Sequence, residues 1–206
     1  MSLLTTWGYT VMADMLPEIL EGIEYDRFTA DKYAGDARTA GNIMAAEAAI
    51  RNYCGWHVCP SLPCELRTTF FDRRVIMAEG GVIMVQLPAA YVSSVESIMV
   101  GGEPCYSFVL ETNGLLRIFD VRVFELKTSI VIDYTAGLPE ELTAGIKELI
   151  AHRVTHALSS TEGVQSETAG GVSVTYNAAW TNNSRATALA DDNKEVLAPY
   201  RVRGVF

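Results

Sequence analysis

Three cysteines and one histidine lie close together in the sequence, a combination that can bind zinc or build a thiol nucleophile. The residues are Cys54, His57, Cys59 and Cys64. The cysteine spacing C-x4-C-x4-C matches neither the C-x2-C pairs of zinc modules nor a dense secreted disulfide framework. A nucleophilic thiol also needs an activating base and an oxyanion site, and the chain has no G-x-S-x-G elbow. We therefore expect reduced, mostly buried thiols, with a Cys/His enzyme as an alternative.

A second pair of histidines is spaced to face one metal ion. His152 and His156 lie four residues apart, with Glu148 one turn earlier. The residues between them do not form H-E-x-x-H, and a helical wheel places Glu148 and His152 opposite the apolar stripe. This pattern favours a solvated or subunit-contacting face over a metal site.

Other motifs do not indicate catalysis or cofactor binding. The Gly-Gly pairs at residues 80, 101 and 170 are not followed by Gly-Lys-Ser/Thr and do not open a helix, so we interpret them as turns. Arg153 falls on an apolar helical stripe, where a guanidinium must reach solvent or pair across a subunit boundary. We predict no catalytic residues, no cofactor and no metal, so the chain is not expected to be an enzyme.

Charge and hydropathy limit the possible partners. The 206 residues include 16 basic and 25 acidic side chains, a net charge of -9, which is the wrong sign for a protein that mainly holds phosphate backbones. No apolar run approaches the roughly 20 residues that cross a bilayer, and the N-terminus lacks a signal-peptide pattern. We expect a soluble, intracellular protein without membrane or specific nucleic-acid partners.

The clearest structural element is the stretch from Thr39 to Pro60. Its apolar residues recur with helical spacing, Gly55 is typical of a helix C′ position, and Pro60 prevents the helix from resuming. A second helical pattern follows Pro139 and continues to Ser160, and shorter helices are predicted near residues 14–23 and 184–198. Between the two long helices, residues 64–136 contain about six short, β-branched and aromatic stretches separated by glycine or polar turns.

This order of elements predicts an α+β fold. Two long packed helices, with short helices beside them, carry an inserted antiparallel β-rich subdomain. The expected domains are a flexible N-terminal arm at residues 1–12, a single α+β domain at residues 13–198 and a C-terminal arm at residues 199–206. Within the domain, the helical parts cover about 13–60 and 139–198, and the β-rich insert covers about 64–136.

The run AAEAAIRNYCGWHVCP closely resembles the first long helix of the head-tail connector (adaptor) proteins of tailed bacteriophages and prophages. The resemblance continues through QLPAAYVSSVESIMVGG, YTAGLPEELTAGIKELIAHRV, GVQSETAGGVSVTYN and APYR, so it spans about residues 15–203. The first dozen residues and the long β-rich middle depart from the more compact members of the family.

The resemblance implies a structural protein of the virion neck, made in the cytoplasm of a bacterial host. Copies would form a ring, twelvefold in the virion, between the portal protein and the stopper or tail-completion protein. DNA would pass through the ring without specific binding, which the acidic composition allows. Another neck component, such as a head-completion stopper or tail-completion protein, is the nearest alternative.

Two segments are the candidate partner-binding sites. By analogy with the family, the C-terminal arm would meet the portal, because Tyr200, Arg201 and Arg203 are good interface residues in an acidic chain. The stretch with Val172, Val174 and Tyr176 could extend a sheet of a neighbouring copy by strand addition, or form a surface hairpin.

Overall fold

The computed structural model describes residues 3–13, 37–78, 80–121, 127–159, 166–169, 172–175 and 191–202. The chain forms two compact units. The first contains residues 1–17, 54–143 and 199–206, and the second contains residues 18–53 and 144–198. The domain boundaries expected from the sequence, including the single domain at 13–198 and its β-rich insert, stay a prediction.

The first unit is built from a six-stranded and a four-stranded sheet. Its strands, in chain order, are β1 (Leu3–Leu4), β2 (Thr10–Val11), β3 (Leu62–Thr69), β4 (Val75–Ala78), β5 (Val82–Gln86), β6 (Val92–Val100), β7 (Glu103–Pro104), β8 (Phe108–Leu110), β9 (Leu115–Ile118) and β10 (Ser129–Ala136). Every strand pair described is antiparallel.

Strand β10 is central to the six-stranded sheet, whose order is β1-β2-β3-β10-β6-β7. It pairs with β3 along its length, from Ser129 opposite Thr69 to Ala136 opposite Leu62, and with β6 on its other side. Alternate residues of β10 are buried, as expected for a strand with one face on a core. These residues are Ile130, Ile132, Tyr134 and Ala136.

The four-stranded sheet has the order β4-β5-β9-β8. Its register aligns Val75, Val85 and Leu116 across three strands, and these side chains form a buried face. The opposite face carries the row Ile76, Met84, Arg117 and Val109, which are half-buried or exposed. One face of this sheet therefore packs on a core and the other faces solvent.

The second unit contains helices α1 (Ala37–Cys54), α2 (Ala144–Ser159) and α3 (Asp191–Leu197) and the hairpin of β11 (Ser166–Ala169) with β12 (Val172–Thr175). The predicted apolar stripe of α1 is confirmed, because Ile43, Ala46 and Ile50 are buried. Helix α2 begins at Ala144, after a 3-10 turn at Glu140–Leu142, and not at Pro139 as the sequence predicts.

A charged pair is buried on α1. Glu47 and Arg51 form an i,i+4 ion pair with 3.8 Å between Oε2 and Nη1, and both side chains are almost fully covered. Removing one partner of a buried pair leaves an uncompensated charge, so this pair constrains the packing of α1 more than an exposed pair would.

The α+β class is confirmed. The described part of the β-rich middle has eight strands, β3 to β10, where the sequence predicts about six. Residues 3–4 and 10–11, expected to belong to a flexible arm, form strands, with Val11 fully buried. The helix contacts described are between α2 and α3, so the packing of α1 on α2 stays a prediction. The short helix expected at 14–23 lies outside the described residues.

Gly137 directly follows β10 and lies close to the backbone of Pro60, and a substitution tests this contact. Its φ of 134° disfavours an L side chain, and a Cβ there would overlap the carbonyl oxygen of Pro60. We expect Gly137→Ala to lower the free energy of unfolding by about 2 kcal/mol or more in urea denaturation.

The matched control is Gly41→Ala in α1, where a Cβ would meet nothing within 4 Å. This substitution should raise stability by about 0.5–1 kcal/mol, because alanine favours a helix over glycine. Equal effects of the two substitutions would contradict the described geometry at Gly137.

Candidate functional site

The end of α1 is fixed by the C-terminal segment of the chain. Gly55 has φ 79°, the left-handed conformation predicted for a helix C′ residue. The N–H of Val202 donates to the carbonyl of Cys54 at 2.9 Å, and the indole Nε1–H of Trp56 donates to the carbonyl of Tyr200 at 2.6 Å. These bonds satisfy a helix-end carbonyl and a buried indole at once.

The same corner holds a buried tyrosine–histidine pair. The Tyr9 hydroxyl lies 2.7 Å from His57 Nδ1 and accepts a hydrogen bond from the backbone N–H of His57 at 3.1 Å. On the other side of the ring, His57 Nε2 lies 2.9 Å from the carbonyl oxygen of Ala136. His57 is 0% exposed and Tyr9 is 1% exposed, so the network is closed to solvent.

The hydrogen-bond partners determine which nitrogen of His57 carries a proton. A carbonyl oxygen can only accept a hydrogen bond, so Nε2 carries a proton and donates a hydrogen bond to the carbonyl of Ala136. In the neutral ring, Nδ1 then accepts a hydrogen bond from the Tyr9 hydroxyl, while the Tyr9 oxygen accepts a hydrogen bond from the backbone N–H of His57. Both ring nitrogens are used in packing the corner, which leaves neither for a metal ion or for a substrate proton.

Tyr134 lies beside this pair, with its ring centroid 6.4 Å from that of Tyr9. Its hydroxyl is buried and has no hydrogen-bond partner among the described residues. Burial, followed by the neighbouring Cys64 and Tyr9, raises the pKa of Tyr134 well above its ordinary value. Tyr134 therefore contributes to the packing through its ring, and its neutral hydroxyl adds little to stability.

The cysteines behave as the sequence predicts. All four are free thiols, three of them buried. Burial raises the pKa of Cys54 to about 12, and neighbouring Cys59 acts in the same direction. Burial also raises the pKa of Cys64 to about 12. A thiol that stays protonated near neutral pH is neither a nucleophile nor a zinc ligand in its resting state.

The remaining candidates for chemistry do not converge. Among the described residues there is no group of three or more His, Cys, Asp or Glu side chains that could hold a metal ion. Glu148 and His152 are exposed, which agrees with the predicted solvated face, and the side chain of His156 lies outside the described residues. Arg153 is half-buried, and burial lowers the pKa of its guanidinium. That the chain is not an enzyme stays a prediction.

The structure places some of the predicted partner-binding residues. Ala198–Tyr200 form a 3-10 turn and Arg201 is exposed, so the start of the expected C-terminal arm is bound to the corner through Tyr200 and Val202. Val172 and Val174 lie in β12, opposite Ala169 and Glu167 of β11, which is the hairpin alternative. Tyr176 and Arg203 lie outside the described residues.

Comparisons with known proteins find likenesses among solved structures. No protein-family model matches the chain, and no curated protein sequence matches it. A chain in the structure titled "Virion of native gene transfer agent (GTA) particle" is similar, with a TM-score of 0.48 and 19% identity. The match covers 76% of this chain and 87% of that chain. With a TM-score below 0.5, this likeness carries neither a fold nor a function over to the present chain.

No helix in the described part of the chain is long and apolar enough to span a bilayer.

Sequence reasoning missed the partnership of Tyr9, His57 and Tyr134. Tyr9 stands in a stretch without periodicity, and the three residues come from distant parts of the chain. The only sequence signal was the chemical one, since a histidine and a tyrosine in buried segments need hydrogen-bond partners.

Two tyrosine substitutions separate the bonded hydroxyl from the unbonded one. Tyr9→Phe removes the partner of both His57 Nδ1 and the His57 backbone N–H, and should lower the free energy of unfolding by about 1–3 kcal/mol. Tyr134→Phe removes a hydroxyl without a described partner and should be neutral or stabilising. Urea denaturation measures both, and a larger loss from Tyr134→Phe than from Tyr9→Phe would contradict the network.

The buried thiols predict a loss of stability at alkaline pH. The pKa of Cys54 and of Cys64 rises from 9.0 to about 12 on folding, so their contribution is fully present below pH 9 and is lost as the pH rises toward 12. We expect the double variant Cys54→Ala, Cys64→Ala to lose less stability than the natural chain between pH 9 and 11 in urea titrations. The control, Cys105→Ala, changes a half-buried thiol and should keep the natural slope.

Proposed function

We propose that this chain is a structural virion protein of a tailed phage or prophage, a head-tail connector that forms a ring between the portal and the stopper or tail. The observation that carries the proposal is the sequence resemblance at residues 45–60. Cys54, Trp56 and Val58 within that run are fully buried, so the resemblance falls on residues that build the corner after α1. Matching residues with a structural role are better support than matching surface residues.

The surface of the first unit is consistent with an assembly role. Large apolar side chains are exposed there, including Leu4, Phe71 and Tyr106, the last at 86%. Aromatic residues are enriched at protein–protein interfaces relative to the rest of the surface. A ring subunit would cover such residues with its neighbours, and copies meeting head to tail through different faces can close into a ring.

The anchored C-terminal segment supports a role for the chain end in binding. The bonds to Cys54 and Trp56 hold the backbone at Tyr200 and Val202, while Arg201 between them is exposed. A held backbone with an exposed guanidinium loses little entropy on binding an acidic surface. We propose that this segment, with Arg203 beyond it, meets the portal, and that the hairpin of β11 and β12 meets a neighbouring copy.

The mass of the purified protein in solution, measured over a range of concentrations with and without a candidate portal protein, tests the proposal. A ring, formed alone or on the portal, is expected. The double variant Arg201→Ala, Arg203→Ala should weaken portal binding at least tenfold and leave self-assembly unchanged. The single variant Lys147→Ala on α2 is the control for loss of a positive charge elsewhere and should bind the portal normally. A monomer that ignores the portal and binds a tail component instead would overturn the connector assignment in favour of another neck protein.

A further inference from the structure

The four-stranded sheet of the first unit ends on two strands whose outer edges carry backbone groups without a hydrogen-bond partner among the described residues. At the β4 edge, the N–H of Gln86 donates to the carbonyl of Arg74, so Arg74, Ile76 and Ala78 bond inward to β5. Backbone bonding alternates along an antiparallel strand. The carbonyls of Val75 and Met77 and the N–H of Met77 therefore point away from the sheet, while the N–H of Val75 is used in a turn with Asp72.

The β8 edge has the same arrangement on the opposite side. The N–H of Phe119 donates to the carbonyl of Ser107, and the N–H of Glu111 donates to the carbonyl of Leu115. The inward-bonding residues of this segment are therefore 107, 109 and 111. The backbone groups of Phe108 and Leu110 point outward, and no hydrogen bond to them is found among the described residues.

Among the described residues, neither edge carries the lysine, proline or β-bulge that often prevents pairing with another chain. Strand β4 reads Val-Ile-Met-Ala and β8 reads Phe-Val-Leu. Met77 is 47% exposed at one edge and Val109 is 51% exposed at the other. Two unprotected apolar edges on one sheet suggest that both are covered in the working protein.

We propose that a second copy of this chain pairs its β4 with β8 of the first, so that the sheet continues from subunit to subunit. Strands β4, β5, β9 and β8 alternate in direction, and their number is even. A neighbouring copy in the same orientation therefore brings its β4 alongside β8 in antiparallel orientation, the pairing found throughout the sheet. The contact is heterologous, because each copy offers a different edge to each neighbour.

One register aligns the outward backbone groups of both edges. It pairs Met77 with Phe108 and Val75 with Leu110, the residues whose backbone groups point outward. Ile76 then lies opposite Val109, and the solvent-face row Ile76, Met84, Arg117 and Val109 continues into the next subunit.

Charge complementarity favours the same register. Arg73 is exposed and forms no ion pair among the described residues. Arg73 lies in the turn directly before β4, and Glu111 directly follows β8, so the register above brings these two residues to the same end of the paired strands. The Glu111 carboxylate is already 2.8 Å from Arg117 of its own sheet. A second guanidinium at that carboxylate joins the two copies across the end of the strands in an otherwise acidic protein.

This inference rests on the proposed ring, because it names the strands through which neighbouring copies meet. Strands of three and four residues bury a small area, below that of a stable dimer. The contact is therefore best tested by a method that traps weak or ring-dependent pairs. Disulfide trapping is suitable because the natural Cys54, Cys59 and Cys64 are buried.

The experiment mixes two pools in a Cys105→Ser background, each with one added cysteine. The first pool carries Ile76→Cys, and the second carries Val109→Cys with a mass tag. Residues directly opposite at a non-hydrogen-bonded position have Cα atoms about 4.5 Å apart, within disulfide range. We expect a disulfide-linked heterodimer only in the mixed sample. A chain that carries both Ile76→Cys and Val109→Cys should form a series of linked dimers, trimers and larger oligomers. As a matched control, Met84→Cys on the inner strand β5 should not link to Val109→Cys.

A second variant tests the backbone bonds. Leu110→Pro removes an outward N–H while the inward bonds of residues 109 and 111 to β9 remain, so it should abolish linkage and melt close to the temperature at which Leu110→Ala melts. Leu110→Ala keeps the N–H and should link normally.

The possible failures are distinguishable. Rings that form without linkage would overturn this pairing and leave the connector assignment standing. Linkage of Ile76→Cys to itself would show a two-fold contact and overturn the heterologous arrangement. Absence of both linkage and oligomers at the highest concentration would overturn the inference together with the proposed ring.

Discussion

The first unit depends on a buried imidazole that joins three distant segments. His57 lies just after α1, Tyr9 lies 48 residues earlier, and Ala136 lies 79 residues later. One ring therefore ties the N-terminal strands, the end of α1 and the last residue of β10. A buried imidazole is costly unless its nitrogens are paired, so the three segments must come together in one way. This is a reason to find a histidine in a corner otherwise filled by Trp56, Val58 and Cys59.

Two hydrogen bonds to backbone carbonyls bind the C-terminal segment to the same corner. Cys54 accepts from Val202, and Trp56 donates to Tyr200, so the end of the chain is bound where α1 ends. The helix terminus, the indole and the chain end satisfy one another's polar groups, and none of them needs water at that point. The backbone held at Tyr200 and Val202 also limits the positions open to the exposed Arg201 between them.

The two sheets of the first unit differ in how their edges are used. In the six-stranded sheet, β10 is enclosed by β3 and β6, and the outermost strands, β1 and β7, have two residues each. Short outer strands are one way to limit pairing with other chains. The four-stranded sheet instead ends on apolar strands whose outward backbone groups have no partner among the described residues, and the exposed Phe71 and Tyr106 flank them in sequence. This contrast within one unit is why we propose the second sheet, and not the first, as the contact between copies.

The sequence by itself determined the elements that depend on local pattern. The apolar stripe at Ile43, Ala46 and Ile50, the stop at Gly55 and the alternation in β10 are all local signals, so α1, its end and the α+β class could be predicted. The burial of the Cys54 thiol could also be predicted, since a cysteine on a buried helical stripe behaves as a small apolar residue. What only the tertiary structure decided was which distant groups meet. The pairing of Tyr9 with His57, the strands within residues 1–12 and the order β4-β5-β9-β8 depend on contacts far apart in sequence, for which residue periodicity carries no information.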